Sequence, residues 1–88
     1  MVSKTVKVIN PQGLHMRPAQ LFVAEMNKYQ SEVSIVFNGK PINAKSIMNL
    51  MASCIKQDSE IEIQCTGEQE NEALAAAVKL VESGLGDL

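Results

Sequence analysis

Two kinds of hydrophobic spacing alternate along this chain, and their order restricts the folds available to it. Four segments carry apolar residues at every second position, which is typical of strands with one buried face. Three segments repeat apolar residues every three or four positions, which is typical of amphipathic helices. The predicted order is β-α-β-β-α-β-α within 88 residues, and no linker, repeat or low-complexity tract interrupts it.

Each predicted strand and helix has one apolar face and one polar face. The strands cover residues 2–9, 32–37, 40–43 and 60–65, and the helices cover 16–28, 47–53 and 70–83. The inner stripes of the three helices are predicted to be Ala19, Phe22, Val23 and Met26; Ile47, Leu50, Met51 and Cys54; and Leu74, Ala77, Val78 and Val81. Asn38-Gly39 is the pair that most favours a two-residue hairpin. One-sided strands and helices together predict an α+β fold of two layers, with helices on one face of an antiparallel sheet.

Length and composition exclude several classes of protein. A chain of 88 residues is one domain, 1–88. Two cysteines and one histidine provide neither a disulfide framework nor a zinc site, so we expect no metal and no cofactor. No apolar run approaches the roughly 20 residues of a membrane span, and the N-terminus lacks an apolar signal core. We therefore expect a cytoplasmic protein without membrane insertion, and with reduced thiols.

The charges are divided unevenly along the chain. Residues 1–56 hold seven Lys/Arg and two Glu, whereas residues 57–88 hold one Lys and eight Asp/Glu. The formal net charge of −2 argues against direct nucleic-acid binding. The basic part fits an acidic protein partner, although a solvated basic face explains it equally well.

The only histidine lies in the segment Gly13-Leu14-His15-Met16-Arg17-Pro18-Ala19, directly before a predicted helix. An imidazole titrates near neutrality and can act as a nucleophile. The first amides of a helix lack intrahelical partners and, with the helix dipole, favour an anion. Arg17 adds a planar guanidinium that matches phosphate oxygens. These groups would stabilise a phosphoryl group on His15, although a lone histidine near a helix start is also often just a solvated loop residue.

The whole segment decides between these alternatives because it resembles the active-site motif of HPr. HPr is the histidine phosphocarrier family of the bacterial phosphoenolpyruvate-dependent sugar phosphotransferase system. The segment matches the family pattern except for Met16, where alanine is usual. Residues 43–51 (Asn-Ala-Lys-Ser-Ile-Met-Asn-Leu-Met) and the turn from Thr66 to Leu74 also resemble HPr, so the resemblance covers the whole chain.

The resemblance implies a fold and a relay. The fold is an open-faced sandwich with strand order 1-4-2-3. Enzyme I, charged from phosphoenolpyruvate, would donate a phosphoryl group to Nδ1 of His15, and the carrier would pass it to the A domain of a sugar permease. His15 and Arg17 would act directly, with Met16, Arg17 and Pro18 forming the phosphate site. Such a protein is a carrier and not itself an enzyme, and we expect a monomer.

A second phosphorylation site is implied at Ser46. Its plain role is to cap the following helix. In Gram-positive relatives the matching serine is phosphorylated by a dedicated kinase (HPr kinase/phosphorylase), and Lys45 is expected to pair with the added phosphate. The resemblance also implies a partner-binding patch of Ile47, Met48, Met51 and Gln20, although Met48 alone is equally an ordinary surface methionine.

Two other functions remain open on the sequence. Some HPr-like proteins lack the histidine and act through phosphoserine as corepressors of a catabolite-control transcription factor. In the nitrogen-related branch of the phosphotransferase system the histidine motif serves regulation. The string Lys45-Ser46-Ile47-Met48 favours the sugar branch of Gram-positive type. No Ser-His-Asp set or second histidine supports a hydrolase.

Overall fold

A computed structural model describes residues 1–85, and the predicted domain, 1–88, extends beyond them. The elements are β1 (Val2–Lys7), α1 (Met16–Met26), β2 (Glu32–Phe37), β3 (Lys40–Asn43), α2 (Ile47–Ala52), β4 (Glu60–Thr66) and α3 (Glu70–Glu82). This order is the predicted one. All seven elements begin at the predicted residue, and five of the seven ends differ from the prediction by one or two residues, as frayed ends usually do.

The four strands form one antiparallel sheet in the order β1-β4-β2-β3, as the resemblance implied. The pairs Val6–Ile61 and Ile35–Ile63 place apolar side chains on one face. These residues are buried under the helices, whereas their neighbours along each strand are at least partly exposed and, except for Val36, polar. The alternation in the sequence therefore reports the two faces of the sheet correctly, and the fold is an α+β open-faced sandwich.

The core holds no tryptophan, and Phe22 is its only fully buried aromatic residue among those described. In α1 the predicted stripe is confirmed, because Ala19, Phe22, Val23 and Met26 are all buried. In α3 the buried residues are Ala73, Ala77 and Val81, while Leu74 and Val78 are half-buried at the flank. Small alanines facing the sheet let the helix approach it closely, so this stripe is rotated relative to the prediction.

The prediction for α2 was wrong at its end. Leu50 is its only buried residue, and Ile47 and Met51 are half-buried. Cys54 is exposed because the helix ends at Ala52 and Cys54 has a positive φ of 56°. Among the helices of residues 1–85, none is long and apolar enough to cross a bilayer.

Candidate phosphohistidine site

His15 is the residue that begins α1. It has extended backbone angles (φ −81°, ψ −170°) as the N-cap, and its side chain does not cap the helix. The N–H of Ala19 donates to the carbonyl of His15 at 3.0 Å, which is the first i to i−4 bond of the helix. The half-buried imidazole is therefore attached directly before the helix amides that have no intrahelical acceptor.

Gly13 fixes the entry of the chain into this site. Its φ is +66°, and a Cβ at this position would lie 2.2 Å from the carbonyl oxygen of Ile55. The N–H of Leu14 donates to that same oxygen at 3.0 Å. Only glycine allows the loop before His15 to approach the α2–β4 loop so closely, and the contact holds His15 against a part of the chain about 40 positions away.

The imidazole has a contact that bears on its protonation. Nδ1 of His15 lies 3.4 Å from the carbonyl oxygen of Gly13. A carbonyl can only accept, so in this contact Nδ1 carries the proton. The separation exceeds the usual range of about 2.7–3.2 Å for N–H···O bonds, so the contact is weak. With the proton on Nε2 instead, Nδ1 carries a lone pair.

The residues in the first turn of α1 differ in exposure and in whether they have an N–H that could bind an anion. Met16 and Arg17 are exposed, and no acidic residue lies in the turn, so nothing there repels a phosphate. Pro18 is buried and, as a proline, has no N–H to donate. Pro18 therefore sets the backbone of the turn and cannot donate a hydrogen bond to a phosphate, and its place in the predicted phosphate site stays a prediction.

Ser46 occupies the corresponding position of α2. It is the N-cap, with φ −119° and ψ 115°, and its Oγ accepts the N–H of Asn49 at 3.3 Å. The predicted capping role is confirmed. Lys45 does not lie ready to pair with a phosphate on this serine, because its Nζ donates to the carbonyl of Tyr29 at 2.7 Å.

The predicted partner-binding residues differ in exposure. Met48 is 81% exposed and Met16, beside His15, is 51% exposed. Gln20 is exposed, whereas Ile47 and Met51 are half-buried. Because α1 and α2 are in contact, these side chains belong to one layer of the molecule. Thioethers adapt to differently shaped partners, so the exposed pair suits a surface that binds more than one protein.

Asn10 is the residue of the site that the sequence analysis missed. It is fully buried, and its Nδ2 donates to the carbonyl of Gly84 at 2.6 Å. The signal that reveals it is the alternation that begins in β1 and continues beyond it, since Val6, Val8 and Asn10 are all buried. The predicted first strand, 2–9, ends one position before Asn10.

The chain is similar to proteins of one known family. A family model described as the PTS HPr component phosphorylation site matches residues 2–83. The phosphocarrier protein HPr of Buchnera aphidicola subsp. Acyrthosiphon pisum is 43% identical over 74 residues, covering 84% of this chain and 87% of that protein. The HPr-like protein Crh of Halalkalibacterium halodurans is 45% identical over 82 residues, covering 93% of this chain and 98% of that protein.

The fold is also shared with a solved HPr structure. The crystal structure of HPr-C-His from Thermoanaerobacter tengcongensis matches with a TM-score of 0.95 and 38% identity, covering 100% of this chain and 99% of that one. The motif around His15, the strand order and the family model over residues 2–83 agree. This chain belongs to the HPr family of phosphocarrier proteins of the phosphotransferase system.

Proposed function

We propose that this chain accepts a phosphoryl group on His15 from phosphorylated enzyme I and passes it to the A domains of sugar permeases. The observation that carries the proposal is the position of the only histidine as the N-cap of α1, inside the family's phosphorylation motif. The relay begins with phosphoenolpyruvate in the cytoplasm, and we place the protein there as a monomer.

The chemistry requires one nitrogen lone pair and stabilisation of a spreading negative charge. In the proposed step Nδ1 of His15 attacks phosphorus, and the bond from phosphorus to the donor atom breaks with its electron pair remaining on the donor. Nδ1 must first release its contact with the Gly13 carbonyl, with the ring proton on Nε2. The amide of Met16 and the guanidinium of Arg17 supply positive charge to the phosphoryl oxygens. Transfer to the permease domain reverses these movements.

The test is a labelling experiment with three variants. The protein is incubated with enzyme I and labelled phosphoenolpyruvate, and we expect an acid-labile label that His15→Ala abolishes. Arg17→Ala should fold normally but accept phosphate more slowly. Lys28→Ala is the matched control, because Lys28 is a cation near the far end of α1 whose partner is Glu25 at 3.0 Å. A label that persists in His15→Ala, or equal slowing by both cation variants, contradicts the proposal.

We also propose that phosphorylation of Ser46 by an HPr kinase/phosphorylase regulates this transfer. A phosphate at the start of α2 adds close to two negative charges to the basic part of the chain, so it should repel an acidic donor. Ser46→Asp introduces charge, whereas Ser46→Asn keeps a good N-cap without it. The aspartate variant should accept phosphate from enzyme I more slowly than the asparagine variant at low salt. Equal rates of the two variants would rule out the electrostatic explanation.

A second candidate function is regulatory binding. It is favoured by the HPr-like protein Crh, which is 45% identical to this chain. In this reading phospho-Ser46 binds a catabolite-control transcription factor. Retention of His15 favours the carrier, and both functions can coexist. Mass spectrometry of the protein from its host, at acidic and neutral pH, distinguishes acid-labile phosphohistidine from stable phosphoserine.

A further inference from the structure

Asn10 connects the loop before His15 to the opposite end of the chain. Its side chain is 0% exposed, and Nδ2 donates to the carbonyl of Gly84 at 2.6 Å, a bond between residues 74 positions apart. Its own carbonyl accepts the N–H of Gly13 at 2.9 Å. One residue therefore holds the start of the turn that leads to His15 and fastens that turn to the end of α3.

The acceptor to which Asn10 is fastened is itself well fixed. Gly84 and Leu85 both have positive φ, 85° and 53°, and the N–H of Leu85 donates to the carbonyl of Leu80 at 2.9 Å. The side chain of Leu85 is 1% exposed. This closure of a helix C-terminus is buried and hydrogen-bonded, and it places the carbonyl of Gly84 where Asn10 can reach it.

The buried amide of Asn10 has a satisfied donor and an unsatisfied acceptor. The Oδ1 of Asn10 is buried and has no hydrogen-bond partner among the described residues. A buried acceptor without a partner destabilises a fold. Valine would continue the inward register of Val6 and Val8 without that orphaned acceptor, but it would leave the carbonyl of buried Gly84 without its donor. What the asparagine adds is the donor that reaches Gly84.

We propose that Asn10 is a positioning residue for phosphoryl transfer at His15, an inference that rests on the proposed carrier function. The loop before His15 is held on one side by Asn10 and on the other by Ile55, whose carbonyl accepts the N–H of Leu14 at 3.0 Å. With the bond to Gly84 absent, the loop pivots on the remaining contact. The imidazole then samples orientations in which Nδ1 is misaligned with the incoming phosphorus.

The test separates positioning from stability by comparing Asn10→Val with a control variant that also weakens the core. Asn10→Val removes the orphaned acceptor but leaves the carbonyl of buried Gly84 without its donor, so the denaturation midpoint should fall modestly. With phosphorylated enzyme I as donor, kcat should fall on the order of tenfold, as small misplacements of a reacting group do. KM should change less than twofold, because the patch around Met48 is untouched. Ile35→Val is the control, since it perturbs the buried sheet far from the loop in sequence.

Amide hydrogen exchange gives a second measurement that does not depend on transfer. Exchange at Leu14 should accelerate in Asn10→Val and in Asn10→Ala, while exchange at Phe22, within α1, stays unchanged. A merely structural role would speed exchange at both positions and lower kcat no more than Ile35→Val does. That pattern overturns the proposal, as does wild-type kcat in a labelled Asn10→Val protein. If the wild-type protein takes no label, the proposed carrier function is wrong. The positioning proposal is tested separately, because unchanged exchange at Leu14 in Asn10→Val would contradict it.

Discussion

Gly13→Ala should damage both the stability and the function of this protein, and the structure gives the size of the first effect. An alanine held at φ +66° costs about 1–2 kcal/mol because the left-handed region is unfavourable for residues with a Cβ. The new Cβ would also lie 2.2 Å from the Ile55 oxygen and 2.7 Å from the Cα of Lys56. Both neighbours are backbone atoms, so the loops must separate, at a further cost of about 1–3 kcal/mol.

Gly39→Ala is the matched control for this prediction. Gly39 has a φ of +77°, and a Cβ there meets nothing within 4 Å, so the variant carries the conformational cost without the clash. Urea denaturation followed by circular dichroism should show Gly13→Ala less stable by about 2–5 kcal/mol and Gly39→Ala by about 1–2 kcal/mol. Only Gly13→Ala should slow phosphorylation of His15. Equal losses of stability in the two variants would refute the argued contact between Gly13 and Ile55.

Ser46→Ala should lower the free energy of unfolding by about 1 kcal/mol because α2 loses its N-cap bond, and urea denaturation measures it; no change would mean that the cap is ineffective. Burial raises the pKa of the Cys65 thiol, so iodoacetamide at neutral pH should modify exposed Cys54 well before Cys65, as peptide mass spectrometry can show. The hydrogen bond from the Gly67 N–H lowers the pKa of Glu70, so its ionised form stabilises the fold above the usual glutamate pKa. That contribution is lost as pH falls through the lowered value, and the melting temperature of Glu70→Gln should therefore fall less than that of wild type between pH 5 and 3. Parallel melting curves would contradict this assignment.

The elements of this fold can be predicted from local spacing because each is amphipathic on its own. The stripe of α1, with Phe22 and Met26, follows from a regular helical period. The same reasoning failed at Cys54, since the end of a six-residue helix depends on a positive φ that no apolar pattern signals. In α3 it misplaced the stripe because Ala73 is small, and close packing against the sheet decides its burial.

The candidate site could likewise be predicted from the sequence only in part. The segment around His15 predicts the chemistry, because the nucleophile, the helix start and Arg17 are neighbours in the chain. The contact from Gly13 to Ile55 and the bond from Asn10 to Gly84 join distant residues. Spacing along the sequence does not reveal such pairs, so the close contact of Gly13 with Ile55 could not be foreseen.

The most direct test of the central claim is a two-dimensional proton–nitrogen spectrum recorded before and after phosphorylation by enzyme I and phosphoenolpyruvate. If the start of α1 binds the phosphoryl group on His15, the amide signal of Met16 should move strongly downfield and the imidazole nitrogen signals should change with it. A modified His15 whose phosphorylation leaves the Met16 amide signal in place would contradict the account.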